Sequence, residues 1–187
     1  MKKKLMALVL LCTMVAALTA CGGKEKNNSA NDAGENTTDA GESVEKKNAT
    51  ITYVMPEGFT EQSEGQWVAP DYPNDSSNII VQQSKDDPYG VNYTEDQFKE
   101  LITVAYDAQG YTVDEINVAE FTKGKLDDYD TLLIDVSYSL MGVTIQQLEY
   151  LIQINDITYV ITYTTAPELD WYDAFRTSID SVQIVYE

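Results

Sequence analysis

Apolar and polar residues alternate along the second half of the chain with the period of two that is typical of strands. Apolar side chains stand at every second position from Leu132 to Leu140, and most positions between them are polar. The pairs Met141-Gly142 and Asn155-Asp156 interrupt the pattern and are typical of tight turns between neighbouring strands. The pattern predicts antiparallel strands over 112–121, 131–140, 143–155 and 158–165.

Shorter elements precede this strand-rich region. Strands are predicted over 51–54, 66–69 and 78–83. The last two are joined by a loop rich in Pro, Asp, Asn and Ser, which indicates a small hairpin region. A capping-box pattern at Thr94 and Gln97 then begins a helix that Gly110 ends.

The end of the chain is predicted to form a second helix and a last strand. Pro167 suits the first turn of a helix over 167–181, and Trp171 and Phe175 both fall on its apolar face. Both aromatic side chains are therefore predicted to lie in the core. A strand over 182–186 completes an α+β fold, in which an antiparallel sheet of about six to eight strands carries two helices.

The first twenty residues have the layout of a secretory signal. Three lysines, Lys2 to Lys4, precede an apolar stretch of 14 residues over 5–18. That stretch is shorter than the roughly 20 residues that a helix needs to cross a bilayer. Residues 1–20 are therefore interpreted as a segment that is removed during export.

The junction that follows, Leu18-Thr19-Ala20-Cys21, resembles the lipobox of bacterial lipoproteins. This resemblance implies cleavage before Cys21 and a diacylglyceryl group on its thiol, often with a further acyl chain on the new amino terminus. Two or more acyl chains hold a protein stably on a membrane, whereas a single acyl chain binds it only marginally. We therefore expect a lipid anchor on the extracytoplasmic face of the cell membrane, with Cys21 as the lipidated residue.

The segment after the anchor is predicted to be a disordered tether over 21–49. It is rich in Asn, Ser, Gly, Glu, Asp, Thr, Ala and Lys, with Val44 as its one larger apolar residue, so it cannot bury enough surface to fold. About 27 flexible residues span on the order of 30 Å. Residues 50–187 are long enough for one core and are predicted to form a single monomeric domain.

The charge of the chain limits the partners that it can bind. From residue 21 onward there are nine basic residues against 31 acidic ones, a net charge of about −22. Nucleic acids and anionic lipid headgroups are repelled by such a surface. After processing, Cys21 would be the only cysteine, so no disulfide within the chain is expected.

Candidate catalytic groups are scarce. The chain contains no histidine, and a lipidated Cys21 would leave no free thiol. Catalytic triads that use histidine are excluded, and zinc or copper sites are not expected. We therefore predict that the protein is not an enzyme and has no catalytic residue, cofactor or metal site.

Two carboxylate alternatives remain open. Asp127, Asp128 and Asp130 are close enough in sequence for a carboxylate-based hydrolase, although acids at a predicted turn are usually only solvated. Oxygen donors on the loops 71–75 and 85–89 suit Ca²⁺, but neither loop has the spacing of an EF-hand. The hydrolase is the weaker alternative.

Aromatic side chains provide the candidate binding residues. Most of the 13 tyrosines fall on predicted strands, where they suit a half-buried sheet. The aromatic residues nearest predicted loops are different, because they are free to contact a ligand or a protein. The candidate binding residues are Trp67, Tyr72, Tyr89 and Tyr93.

Four short motifs accompany the order of elements in residues 50–187. They are Met55-Pro56-Glu57-Gly58-Phe59, Ile157-Thr158-Tyr159-Val160-Ile161-Thr162-Tyr163, Trp171-Tyr172-Asp173-Ala174-Phe175 and Ser178-Ile179-Asp180-Ser181-Val182. In these motifs and in the order of its elements, the domain resembles the PsbP-like and DcrB-like α/β/α sandwich. Domains of this fold serve photosystem assembly, envelope maintenance and other accessory roles, so the resemblance does not by itself give the function. Together with the scarcity of catalytic groups, it makes the leading hypothesis a noncatalytic binding or assembly accessory of the cell envelope, whose partner is an envelope protein or ligand. The alternative is a module that binds a small molecule, a sugar or Ca²⁺.

Overall fold

A computed structural model describes residues 48–85, 87 and 89–186. The predicted signal sequence, Cys21 and most of the predicted tether lie outside these residues. The strands are β1 (Ala49–Thr52), β2 (Thr60–Ser63), β3 (Gln66–Val68), β4 (Asn78–Ser84), β5 (Val113–Leu126), β6 (Tyr129–Leu140), β7 (Val143–Ile154), β8 (Ile157–Thr165) and β9 (Gln183–Tyr186). The helices are α1 (Glu95–Asp107) and α2 (Tyr172–Asp180), and a 3₁₀ turn over Gly90–Asn92 precedes α1.

Seven strands form one antiparallel sheet in the order β2-β3-β4-β8-β7-β6-β5. The turns between β6, β7 and β8 are as tight as the sequence predicts. Met141 and Gly142 both have positive φ, at 54° and 77°, and Asn155 has a φ of 56°. Two-residue hairpin loops favour such angles because they match the twist of the strands. The register therefore places alternate residues on opposite faces.

Each helix covers one face of the sheet. Phe98 and Ile102 of α1 pack on a cluster that includes Leu132 and Ile134 of β6. Phe175 of α2 packs on the opposite face, in a separate cluster. The predicted α/β/α sandwich, with two helices and an antiparallel sheet, is confirmed.

The capping box predicted for α1 is confirmed. The Thr94 hydroxyl accepts a hydrogen bond from the Gln97 backbone N–H at 3.3 Å, and the Gln97 side chain accepts one from the Thr94 N–H at 2.9 Å. These two bonds satisfy donors that the first turn of a helix leaves unpaired. Among the described residues, no helix is long and apolar enough to cross a membrane.

The predicted start of the second helix is wrong. It begins at Tyr172, five residues after Pro167, which lies in an exposed turn. Trp171 is held just before the helix, because its indole N–H donates to Asp75 at 2.6 Å and its ring packs edge-on against Phe59 at 4.9 Å. Trp171 is therefore half-buried at the start of α2, while Phe175 lies fully in the core.

At the start of the domain, the strands predicted over 66–69 and 78–83 are confirmed as β3 and β4, whereas the strand predicted over 51–54 is displaced by two residues and one strand was missed. β1 belongs to a separate two-stranded sheet with β9. β2 is an additional strand, and its four exposed polar residues lack the alternation of apolar and polar positions that predicts a strand. Ser178 of α2 donates to the Val54 carbonyl at 2.6 Å, and Ser181 accepts from the Val54 N–H at 2.8 Å. These bonds hold the chain after β1 against the end of α2.

Candidate functional site

The sheet face that carries α1 has a polar centre. Gln147 and Glu149 of β7 point to this face, between the inward-facing Ile145 and Leu151. Their neighbours on β8 are Thr164 and Thr162, respectively. All four polar side chains are buried. The four define what we call the polar floor.

One half of the polar floor is satisfied by a chain of hydrogen bonds. The Tyr138 hydroxyl donates to the Gln147 side-chain oxygen at 3.0 Å, so its own oxygen accepts from the Tyr106 hydroxyl at 2.8 Å. The Gln147 amide then donates to the Thr164 hydroxyl at 3.0 Å. Every polar group in this chain has a partner, which is the usual condition for burial. These residues fix α1 on the sheet.

Glu149 differs from the rest of the floor. Its side chain is only 8% exposed, and among the described residues its carboxyl group has no hydrogen bond or ion pair. Burial raises the pKa of this carboxyl from 4.5 to about 7, because a low-dielectric environment disfavours the charged form. Glu149 is thus an acid with a pKa near neutrality at the centre of the sheet.

Two tyrosines and a second carboxylate form a wall beside Glu149. The ring centroids of Tyr89 and Tyr93 are 5.0 Å apart. Burial, the charges of Asp87 and Glu149, and a hydrogen bond to Asp87 raise the pKa of the Tyr93 hydroxyl, which places it close to both acids. Asp87 also accepts the backbone N–H groups of Tyr89 and Gly90 at 3.0 and 2.9 Å, and so holds this segment in place.

The same face continues beyond α1 across β4 and β3. Asn78 lies next to Thr164 and is 1% exposed, yet its side-chain oxygen has no hydrogen-bond partner. Val68 and Ile80 are buried on this side but belong to neither of the clusters that pack under the two helices. This part of the face is therefore outside the contact made by α1.

The four predicted binding residues do not form one surface. Tyr89 and Tyr93 lie together in the wall beside Glu149, with Tyr89 exposed and Tyr93 buried. Trp67 lies on the opposite face, where it packs against the α2 cluster and against Tyr53 at a ring distance of 6.4 Å. Tyr72 is half-buried in the loop after β3.

Glu149 is not among the site residues predicted from the sequence, although its position carries a recognisable signal. Period two along 143–155 places Gln147 and Glu149 on the same side as Ile145 and Leu151. Polar residues at inward positions of a predicted central strand are uncommon, because their burial is costly. That signal identifies the position, but it does not show whether another residue forms a hydrogen bond or an ion pair with the buried side chain.

The other candidate acids are engaged at turns. Asp130 pairs with Lys125 at 3.0 Å, and Tyr186 donates to Asp127 at 3.3 Å, all near the exposed β5–β6 turn. In the loop after β3, Asp75 accepts from Ser77 and Trp171. Within the described ranges, no three potential metal-ligating side chains come together.

A second polar cluster lies under α2, in which Asp135 is buried and the other members are half-buried, and its members satisfy one another. Tyr172 donates to Asp135 at 2.6 Å, and Arg176 donates to Glu120 at 2.8 Å. Burial and the hydrogen bond to Asp135 raise the pKa of Tyr172 to about 12. These contacts join α2 to β5 and β6, so we assign them to the packing of the helix.

The fold is similar to that of several solved structures with low sequence identity. CyanoP, the cyanobacterial PsbP of Synechocystis, is 13% identical with a TM-score of 0.49, over 79% of this chain and 98% of that chain. LpqN of Mycobacterium tuberculosis, described as involved in cell envelope biogenesis, is 15% identical with a TM-score of 0.45, over 76% of this chain and 87% of that chain. A Pseudomonas aeruginosa protein of unknown function is 8% identical with a TM-score of 0.42, over 75% of this chain and 85% of that chain. No protein-family model and no curated protein matches the sequence.

Proposed function

We propose that this protein is a lipid-anchored, extracytoplasmic binding protein of the cell envelope that acts without catalysis. The observation that carries the proposal is the motif Leu18-Thr19-Ala20-Cys21 at the end of a secretory leader. In this proposal the composition of residues 22–48 predicts a flexible tether between the anchor and the domain, with a span on the order of 30 Å. The domain would therefore meet partners close to the membrane without lying on it.

A noncatalytic role is supported by the chemistry that the chain offers. Histidine is absent from the whole sequence, and it is the commonest general base in enzymes. Of the two acids at the wall, Asp87 is already held by hydrogen bonds from the Tyr93 hydroxyl and from the backbone N–H groups of Tyr89 and Gly90, whereas glycoside hydrolysis needs two carboxylates that act together. Binding through the Tyr89 and Tyr93 wall requires no such pair.

Replacement of Cys21 by serine tests the anchor. We expect Cys21→Ser to abolish lipid labelling and to release the protein from the membrane fraction, because only a thiol accepts the diacylglyceryl group. Metabolic labelling with a fatty-acid analogue measures this, and Cys12→Ser is the matched control, since Cys12 lies inside the leader. Equal labelling of wild type and Cys21→Ser would reject the anchor.

The acidic surface predicts how a protein partner associates. Residues 50–187 hold 25 acidic residues against five basic ones, so a basic partner should be attracted and its association should slow as salt rises. Cross-linking in intact cells followed by mass spectrometry would recover the partner, and association rates would then be measured at low and high salt. A rate that is flat across salt would reject the electrostatic part.

The aromatic part of the same contact has a matched pair of variants. Tyr89 and Tyr186 are 44% and 46% exposed, on different parts of the domain. We expect Tyr89→Ala to speed dissociation of the partner and Tyr186→Ala to leave it unchanged. Equal effects would show that the wall is not the contact surface, and turnover of an envelope substrate by the purified protein would reject the noncatalytic role.

A further inference from the structure

Glu149 is a buried acid for which the described chain supplies no counter-charge. Its neighbours across the sheet are Ile134 and Thr162, neither of which carries a charge. The Tyr93 hydroxyl lies close to both Glu149 and Asp87, so the charged group on that side of Glu149 is acidic as well. A carboxylate in such a place is costly unless a cation or several hydrogen bonds compensate it.

The basic residues of the domain are mostly committed elsewhere. Lys99 pairs with Glu95, Lys125 with Asp130, and Arg176 with Glu120. Lys123 lies on β5, two strands away from β7. Lys85 is exposed at the end of β4. A positive charge that compensates Glu149 must therefore come from a group outside these three ion pairs.

The surroundings of Glu149 offer acceptors and aromatic faces. On β4, the Asn78 side-chain oxygen is a buried acceptor with no partner. Its Cα lies on the order of 12 Å from that of Glu149, two strand spacings across the sheet and two residues along it. Tyr89 and Tyr93 add two rings, and ring faces attract organic cations. Hydrogen-bond acceptors and ring faces together favour a ligand that is positively charged and donates hydrogen bonds.

The segment that carries the two tyrosines packs closely on the sheet beside the polar floor. Gly90 has a φ of 49°, and a side chain added there would come within 2.5 Å of the Gln153 side-chain oxygen. The segment is fixed at this point, whereas Tyr89 next to it remains exposed. The wall is therefore preformed, which reduces the entropy lost when a ligand binds.

We propose that the sheet surface around Glu149, on the face that carries α1, is a binding site for a small organic cation. Its ammonium group pairs with Glu149 beside the rings of Tyr89 and Tyr93. The ammonium donates hydrogen bonds to the carboxylate and supplies the positive charge that the described residues do not provide. The unpartnered Asn78 oxygen accepts from a second donor of a longer ligand. This inference goes beyond the accessory role proposed above and does not depend on the anchor.

Other occupants fit the same residues less well. Ca²⁺ takes six to eight oxygen ligands, and the described residues bring no three ligating side chains together. A neutral sugar would find ring faces and acceptors, but it would leave the charge of Glu149 uncompensated. An anion would be repelled by Glu149 and Asp87.

The test uses the full chain in mild detergent and two probes of nearly equal shape, butylammonium chloride and 1-butanol. Isothermal titration calorimetry would measure both at pH 5.5 and pH 8.5, since an alkylammonium keeps its charge over this range. We expect butylammonium to bind and 1-butanol to bind at least about tenfold more weakly. Binding of the cation should also be at least about tenfold tighter at pH 8.5, where Glu149 is ionised.

Variants separate the site from the general acidity of the surface. Glu149→Gln should weaken butylammonium binding at least about tenfold, whereas Glu168→Gln, which removes an exposed acid on the turn before α2, should leave it unchanged. Side-chain ¹³C NMR of Glu149 should show its pKa fall when the cation is added. Equal affinity in the two variants, no preference over 1-butanol, or no binding at tens of millimolar would each overturn the proposal. None of these results bears on lipidation or partner capture, so failure here is distinct from failure of the proposed function.

Discussion

Phe175→Ala is expected to destabilise the folded domain by about 3 to 5 kcal/mol, the usual cost of truncating a large aromatic side chain in a core. Phe175 is 1% exposed and packs against Tyr163 at a ring distance of 5.1 Å and against Phe59 at 5.8 Å. Small domains have a free energy of unfolding of about 5 to 15 kcal/mol in total, so this loss is large. Urea denaturation of the full chain measures it.

Phe121→Ala provides the matched control for this substitution. Phe121 lies on the edge strand β5 and is only partly buried against the α1 cluster. The same change of side chain there should cost clearly less, because the neighbouring chain can relax and water can enter the space. If Phe175→Ala cost no more than Phe121→Ala, the orientation of α2 described above would be wrong.

The sheet and α1 were predictable because their signals are local. Alternation from Leu132 to Leu140 and the tight turn at Met141-Gly142 determine strands, faces and hairpin register together. The capping box at Thr94 likewise depends on residues three positions apart. Each of these predictions needs only neighbours along the chain, and each is confirmed.

The elements that were displaced, or whose partners were not predicted, depend on long-range contacts. β1 pairs with β9, at the other end of the domain, and no local pattern specifies that partner. The start of α2 is set by the bond from Trp171 to Asp75, two residues 96 positions apart in sequence. Pro167 suits the first turn of a helix locally, but tertiary contacts place the start of the helix at Tyr172.

The candidate site was only half predictable for the same reason. Tyr89 and Tyr93 were selected because they lie near predicted loops, and the structure brings them together. Glu149 lies on a predicted strand, and its lack of a partner depends on which residues of β6, β8 and the 3₁₀ turn face it. Departures from local rules at buried positions often mark function, because stability alone would favour an apolar residue there.

Glu149→Gln is expected to stabilise the domain at alkaline pH, in contrast to most substitutions of buried residues. In the unfolded chain this carboxyl titrates near its ordinary pKa of 4.5, whereas burial raises the pKa to about 7 in the folded domain. Between these values the folded chain holds a proton that the unfolded chain has released. The stability of the wild type therefore falls as pH rises through this window, and the loss is complete above about pH 7.

The size of the effect follows from the same two pKa values. Their difference corresponds to about 3 kcal/mol against the ionised folded state. A neutral glutamine avoids this cost, so Glu149→Gln should exceed wild type by up to about 3 kcal/mol at pH 8.5 and differ little at pH 4.5. Urea denaturation of the full chain at pH 4.5, 6 and 8.5 measures the difference, with Glu168→Gln as the exposed control. A difference that stayed constant across this range would mean that Glu149 is ionised in the folded domain throughout, with a partner that the described residues do not supply.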